Sequence, residues 1–460
     1  MKAVLLTVVA LLGADFAFSA EWRVVVNGAE VPLRRSRAEH YAPYAYGSFE
    51  VKGGEKVSVT APDGMVETFV AEKPFVRIFD KERRRNVLVL FGDRPDAFVP
   101  DLKSPKVKAY GPGEHQAGAI RLKSGEALYL APGAVVHGAL YAEGRDITVT
   151  GRGVLTGVDY PKCQGPFTFF THFNRCTNLV IRGVTLTEPY HWTLAVCHSR
   201  NVLIEDVRLC CGNILNDDGI DLVNTSDVTV RRTFVRTQDD AVAVKGMDMR
   251  PREERAPCEN ILVEDCTFWV DKANVFRIGY ESNAACMRNL VVRNLDVHAY
   301  SLICHPPSHT WSHAIVWLQP SNGMRISDCL FSDVRIRSDG TDMPIAIAEP
   351  RVCRCFRIGT GADPYKGKVE FEDYATGGSV ENVVFRNVSV TGEKGAFRGE
   401  IWVKGRSADE SVRNVVFENV TRFGETVLAD SPAVTVGPFA EARFVTASGR
   451  AKGKEGKTEK

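Results

Sequence analysis

The sequence predicts an all-β protein, a right-handed parallel β-helix preceded by a small β-sandwich. Three observations carry this. A strand-like unit returns along most of the chain, no stretch between the units sustains a helical period, and residues 21–105 stand outside the repeat.

The repeat comes first. Asp146 opens Asp-Ile-Thr-Val, Asn178 opens Asn-Leu-Val-Ile-Arg-Gly-Val-Thr-Leu, and Asn201 opens Asn-Val-Leu-Ile-Glu-Asp-Val-Arg-Leu. Asp227, Asn260 and Asn289 open further copies, a weaker one lies around Gly323-Met324-Arg325-Ile326, and two late ones begin at Asn382 and Asn414. Most intervals run from about 23 to 34 residues, with one gap near twice that, as expected where a coil carries an insertion. Each unit is a polar residue followed by alternating apolar positions, the pattern of a strand. One such strand cannot bury its face alone. Stacking it coil on coil at ~4.8 Å gives a continuous parallel sheet with a shared interior. A leucine-rich repeat would need a regular leucine skeleton, which is missing. Each coil also holds a second strand. Its apolar positions align Leu194, Ile220, Val242 and Phe276 in one column, and Val196, Leu222, Val244 and Ile278 in another.

Outside the repeat, residues 21–105 hold short alternating segments such as Trp22–Val26, Phe49–Val51, Lys56–Val59 and Asn86–Phe91, broken by Gly, Pro and Asp. A small β-sandwich fits them. Residues 1–20 read as an export signal: Lys2, an apolar run Ala3–Gly13, then small residues Ala17 and Ser19 or Ala20, with Asp15 an unusual intrusion. The protein is therefore expected to be secreted or periplasmic. The helix spans 106–445, and the Lys- and Gly-rich residues 446–460 are expected to be a disordered basic tail.

Charge and cysteine content narrow the partners. Lys plus Arg total 58 against 57 Asp plus Glu, so no cationic excess exists to condense on nucleic acid. No later segment reaches the ~18 apolar residues of a membrane span, and a monomer is expected. Of the 12 cysteines, Cys266 and Cys329 are assigned to the same core position of the repeat, where cysteine behaves as a small hydrophobe. A few disulfides at most are expected, and the spacings do not resemble a zinc site. No metal or cofactor is predicted.

The second-strand register decides the chemistry. It stacks Asp218 and Asp240 on adjacent coils, facing outward, with Asp217 and Asp239 as a neighbouring stack and Asp221 close by. Carboxylates about 5 Å apart repel and raise at least one pKa, which a fold gains nothing from. Such a cluster does supply separated acid and base roles, as hydrolysis of a sugar acetal requires. Two plainer readings exist, turn-capping Asp side chains and a calcium site.

Asn216-Asp217-Asp218-Gly219-Ile220-Asp221 followed by Asp239-Asp240-Ala241-Val242-Ala243-Val244-Lys245 resembles the polygalacturonase-type enzymes of glycoside hydrolase family 28, whose pattern is Asn-Thr-Asp-Gly-x-Asp and then Asp-Asp-Cys-x-Ala-x-Lys. Gly111-Pro112-Gly113 and Leu122–Gly138 also resemble the entry to that family's pectin-lyase-like helix. The resemblance implies Asp239 as general acid, with Asp218 and Asp240 holding the water, and inversion at the anomeric carbon. The family's Gly-His-Gly is absent before Arg277-Ile278-Gly279, and its Arg-Ile-Lys has no match on the right face. This region is closer to the dextranase-type family 49, which also carries a sandwich before the helix. The aspartates survive both comparisons; a polygalacturonate substrate does not follow.

Other polar groups lie near this face by register. Trp192 precedes Asp218 in its column, Asn274 follows Asp240, and His313 is expected next. Trp192 could stack on a sugar or pack under a loop. Lys245 and Arg277 could bind substrate or neutralise the aspartates. Asp217 and Asp221 are counted with the substrate-binding residues. The partner expected is a carbohydrate polymer or oligosaccharide. The competing functions are a calcium-dependent polysaccharide lyase and a non-catalytic carbohydrate-binding helix.

Overall fold

The structure, a computed structural model, describes residues 21–37, 43–80, 86–95, 99–271, 273–299, 314–339, 353–359, 377–394, 397–446 and 451–455. The chain divides into two compact units, one of residues 1–35 and 44–95 and one of residues 36–43 and 96–460.

In the first unit two four-stranded sheets share one core. One sheet runs Ala29–Glu30, Arg23–Val26, Glu55–Thr60, Val66–Ala71 with antiparallel pairing. The other runs Leu33–Ser36, Tyr44–Glu50, Val87–Asp93, Phe75–Asp80, in which Tyr44–Glu50 and Val87–Asp93 are parallel. Val24, Val57, Val59, Leu88 and Leu90 meet between them. The segments read from the sequence as strands here are strands.

The second unit is a parallel β-helix. Three strands per coil, for instance Leu194–Cys197, Arg200–Glu205 and Arg208–Cys210, pair in parallel with their counterparts Ile220–Val223, Ser226–Arg231 and Phe234–Thr237. The predicted columns are present: Leu194, Ile220, Val242 and Phe276 are register partners, as are Val196, Leu222, Val244 and Ile278. These side chains are buried, each contributing ~1.5–3 kcal/mol of apolar burial. Further along, Phe331, Phe385, Phe417 and Phe444 stack in one column at 5.0, 5.1 and 4.8 Å, the coil spacing itself.

The polar residue that opens each repeat has a structural reason. Asp146, Asn178, Asn201, Asp227, Asn260, Asn289, Asp328, Asn382 and Asn414 all have φ between 50° and 57°. Asn and Asp tolerate this left-handed corner better than other L-residues. Their side chains then bond coil to coil, as in Asn178 Nδ2 to Asp146 Oδ1 (2.9 Å) and Asn201 Nδ2 to Asn178 Oδ1 (2.7 Å). The same ladder corrects one assignment. The weak copy opens at Asp328 and not near Gly323, because Leu290 pairs with Cys329. Cys266 and Cys329 therefore occupy different columns, although both are buried. Asp328 and Asn382 are directly bonded although 54 residues apart, so the long gap is an insertion within one coil.

One further expectation changes. The tail is not wholly disordered, since Ala451–Glu455 pairs antiparallel with Ala440–Val445, whose edge offers unpaired backbone groups. Among the described residues no disulfide is formed, and most of the free cysteines are buried. Residues 1–20 lie outside the described residues.

Candidate active site

The site grows from a place where consecutive coils approach closely. Backbone bonds run through one column from Thr193 N to Asp218 O (2.8 Å), Gly219 N to Asp240 O (2.8 Å) and Ala241 N to Asn274 O (2.9 Å). Gly219 is required there: a Cβ on it would stand 2.4 Å from the Ala241 carbonyl oxygen. The Asp-Asp-Gly sequence thus lets the chain pass flat against the next coil. One oxygen each of Asp218, Asp239 and Asp240 lies within 4.8 Å of the others. This is the convergence the register predicted.

The three are held differently. Asp239 is partly exposed, and its Oδ1 accepts the Asp240 N–H (3.0 Å). It is the one carboxylate of the three whose residue is not buried. Asp240 is buried, its Oδ1 accepting both the backbone N–H (2.9 Å) and the side-chain amide (2.7 Å) of Asn274. Asp218 is buried as well. Its Oδ2 accepts from Lys245 Nζ at 3.0 Å, and its Oδ1 accepts no hydrogen bond. Burial pushes Asp218 well above the ordinary carboxylate range despite the ammonium beside it. Asp240 is raised by burial and then by the Asp239 charge. Carboxyls whose proton affinity is raised by burial beside one another suit acid and base work.

The remaining aspartates are supports. Asp217 is wholly buried, Oδ2 accepting Gly212 N–H (2.6 Å) and Oδ1 accepting Gln238 N–H (2.9 Å) and Asp239 N–H (3.1 Å). Burial pushes it up to about 8 against the pull of those donors. Asp221 is also wholly buried, 3.3 Å from Lys245 Nζ, and burial raises it to about 7. Neither carboxylate reaches the surface, so the substrate contacts expected of them are corrected. They secure the backbone of Asp239 and the ammonium of Lys245.

Other expectations sort the same way. Lys245 is buried between Asp218 and Asp221 and neutralises them. Its Nζ also lies 4.1 Å over the Trp192 ring, which stacks on Phe169 at 4.4 Å and 5°. Phe169 comes from the coil before and Lys245 from two coils after, so both indole faces are covered. Trp192 packs and offers no face to a sugar. Asn274 spends its amide on Asp240 and its Oδ1 on Ala314 N (2.9 Å). Arg277 is buried between the Tyr280 and Trp317 rings, 3.9 and 3.7 Å away, and donates to Gln319 (3.0 Å). Phe276 pairs with Val316, which puts Ala314, not His313, opposite Asn274. His313 itself lies outside the described residues. Sequence reasoning missed Phe169, Tyr280 and Gln319. Trp317 lies within Ala314–Leu318, a strand outside the repeated units, and Phe169 just precedes Thr171–Arg182; nothing local marks either ring.

The same three oxygens have the spacing to hold a cation. Lys245 already supplies a positive charge 3.0 Å from Asp218 Oδ2, which disfavours a divalent ion beside it.

Comparisons with known proteins agree with this arrangement. The sequence model of glycosyl hydrolases family 28 matches residues 157–271, the segment containing Trp192 and all five aspartates. Among similar solved structures is a hyperthermoactive exopolygalacturonase from Thermotoga maritima, 17% identical over 76% of this chain and 87% of that one, with a TM-score of 0.55. Dex49A from Penicillium minioluteum is 15% identical over 90% of this chain and 91% of its own, with a TM-score of 0.59. PfbA, a surface adhesin of Streptococcus pneumoniae, is 12% identical over 74% and 82%, with a TM-score of 0.51. No curated protein sequence matches the chain. At these identities the structures establish the fold. The resemblance to family 28 with family 49 features is borne out by the family match and by these neighbours.

Proposed function

We propose that this chain is an exported glycoside hydrolase that cleaves α-glycosidic bonds of a poly- or oligosaccharide with inversion. The observation that carries the reading is the convergence of Asp218, Asp239 and Asp240 within 4.8 Å, with Asp239 the accessible member. Asp239 is the general acid: its Oδ2 protonates the leaving oxygen while Oδ1 stays tied to the Asp240 N–H. Asp218 and Asp240 hold the attacking water. Two oxygens less than about 5.5 Å apart can both accept from one water at ordinary hydrogen-bond length. The spacing is shorter than the ~6.5–9.5 Å between carboxyl groups usual for inverting pairs and nearer to the ~5–5.5 Å of retaining ones. Inversion is favoured here because Asp218 and Asp240 are buried, placed to reach a water but recessed from an anomeric carbon. The Lys245 ammonium works against the burial of Asp218 and favours its charged form. The winding is taken as right-handed, as parallel crossovers are. The first unit is read as the β-sandwich, residues 1–20 as a signal, and the mature protein as a secreted or periplasmic monomer.

The test is Asp239→Asn, assayed on pectic, dextran-like and galactose-containing glycans. The rate is expected to fall by orders of magnitude with folding and affinity nearly unchanged, since only proton donation is lost. Retention of more than about a tenth of the wild-type rate would sink the acid assignment.

A further inference from the structure

Upstream of the aspartates the same outward column carries Arg121, Tyr141 and His172 on successive coils, followed by Ala195 and Asp221. Arg121, Tyr141 and His172 alternate with core positions and are exposed or half-buried, whereas Ala195 and Asp221, further along the column, are buried. On the neighbouring face the outward positions hold ion pairs such as Arg200–Asp227, Arg288–Glu259 and Arg293–Glu264, the usual solvated surface. Here they hold rings.

The rings form an unbroken path. The Arg121 guanidinium lies over Phe167 (4.7 Å) and Tyr141 (5.5 Å). Tyr141 meets His172 at 5.3 Å, and His172 meets Phe169 at 5.0 Å. Phe169 stacks on His191 and on Trp192, which leads to Lys245 and Asp218. Tyr141, Phe167, His172 and His191 are half-buried and Arg121 is exposed. Burial depresses the basicity of both His172 and His191, which keeps the imidazoles neutral and apolar near pH 7. From Arg121 to Asp221 the path climbs four coils, about 19 Å at ~4.8 Å per coil, too long for a single sugar.

We propose that this terrace is an extended subsite for the sugar rings of the substrate chain on the Arg121 side of the scissile bond. Apolar sugar faces lie on Tyr141, Phe167 and His172, and Arg121 donates to a hydroxyl or carboxylate at the far end. Rings with a polar rim beside converging carboxylates are the usual composition of a ligand cleft. The occupant follows from continuity with the aspartate site, so this inference rests on the carbohydrate reading. Its consequence is a preference for long chains.

The test uses the full-length Asp239→Asn protein and calorimetry with oligogalacturonides and isomalto-oligosaccharides of two to six units. Affinity for one of these series is expected to rise with each unit, with the hexamer at least tenfold tighter than the dimer. Tyr141→Ala or Phe167→Ala, added to Asp239→Asn and checked by thermal unfolding, should collapse that ratio to below about threefold. Equal binding of dimer and hexamer, or equal loss on both, overturns the terrace, and so does failure to bind either series. Length-dependent binding by a wild-type protein that cleaves none of these chains leaves the terrace standing and removes the hydrolase reading.

Discussion

Replacing Lys245 by Met tests the electrostatic core of the site. Lys245 Nζ is 3.0 Å from Asp218 and 3.3 Å from Asp221, and all three side chains are buried. Removing one member of a buried ion pair costs ~3–5 kcal/mol if the partner stays charged. The aspartates can instead take up protons, so the cost depends on pH. Burial already raises Asp221 to about 7 and Asp218 well above its ordinary value with the ammonium in place; without it both rise further. A carboxyl raised in the folded state gives stability that is full below its unfolded pKa of ~3.9 and is lost as pH rises toward the folded value. The loss is ~1.4 kcal/mol per pH unit for each carboxyl still protonated in the fold. For Asp221 that loss ends near pH 7 in the wild type and continues above it in the variant. The stability gap between the two proteins should therefore be at least ~1 kcal/mol wider at pH 8 than at pH 6. Urea unfolding followed by tryptophan fluorescence at pH 5, 6, 7 and 8 measures it. Met is chosen because it fills the long, narrow space of the lysine stem. A gap that stays constant from pH 5 to 8 would refute the coupling of Asp218 and Asp221 to this ammonium.

Two other outcomes separate the competing chemistries. Hydrolysis should persist after exhaustive EDTA treatment; activity abolished by EDTA and restored by calcium, with product absorbing in the ultraviolet, would make the aspartates cation ligands and the reaction a lyase's. Proton NMR taken before mutarotation should show a first product opposite in configuration to the bond cleaved, whereas a retained anomer would make one of the aspartates a nucleophile.

By itself the sequence determined the helix and the convergence of three carboxylates. Both are periodic properties. An apolar residue that repeats coil after coil must find the same interior, and the outward Asp218 and Asp240 are carried along by Ile220 and Val242. The repeated Asn and Asp were visible as the opening of each unit, but their place at left-handed corners, φ near 55°, came from the structure. The register failed only where periodicity broke: at the copy displaced to Asp328, and at His313, in the insertion before Ala314. Tertiary structure alone decided which polar groups are free. Asp217 and Asp239 look alike in sequence, yet one is enclosed by the amides of Gly212, Gln238 and Asp239 while the other is partly exposed. Trp192 and Lys245 read as sugar contacts until Phe169 and the two aspartates were seen to use them. Burial and partner choice depend on residues from other coils, some more than twenty positions away in the chain, such as Lys245 against Asp218, and no local pattern encodes that pairing.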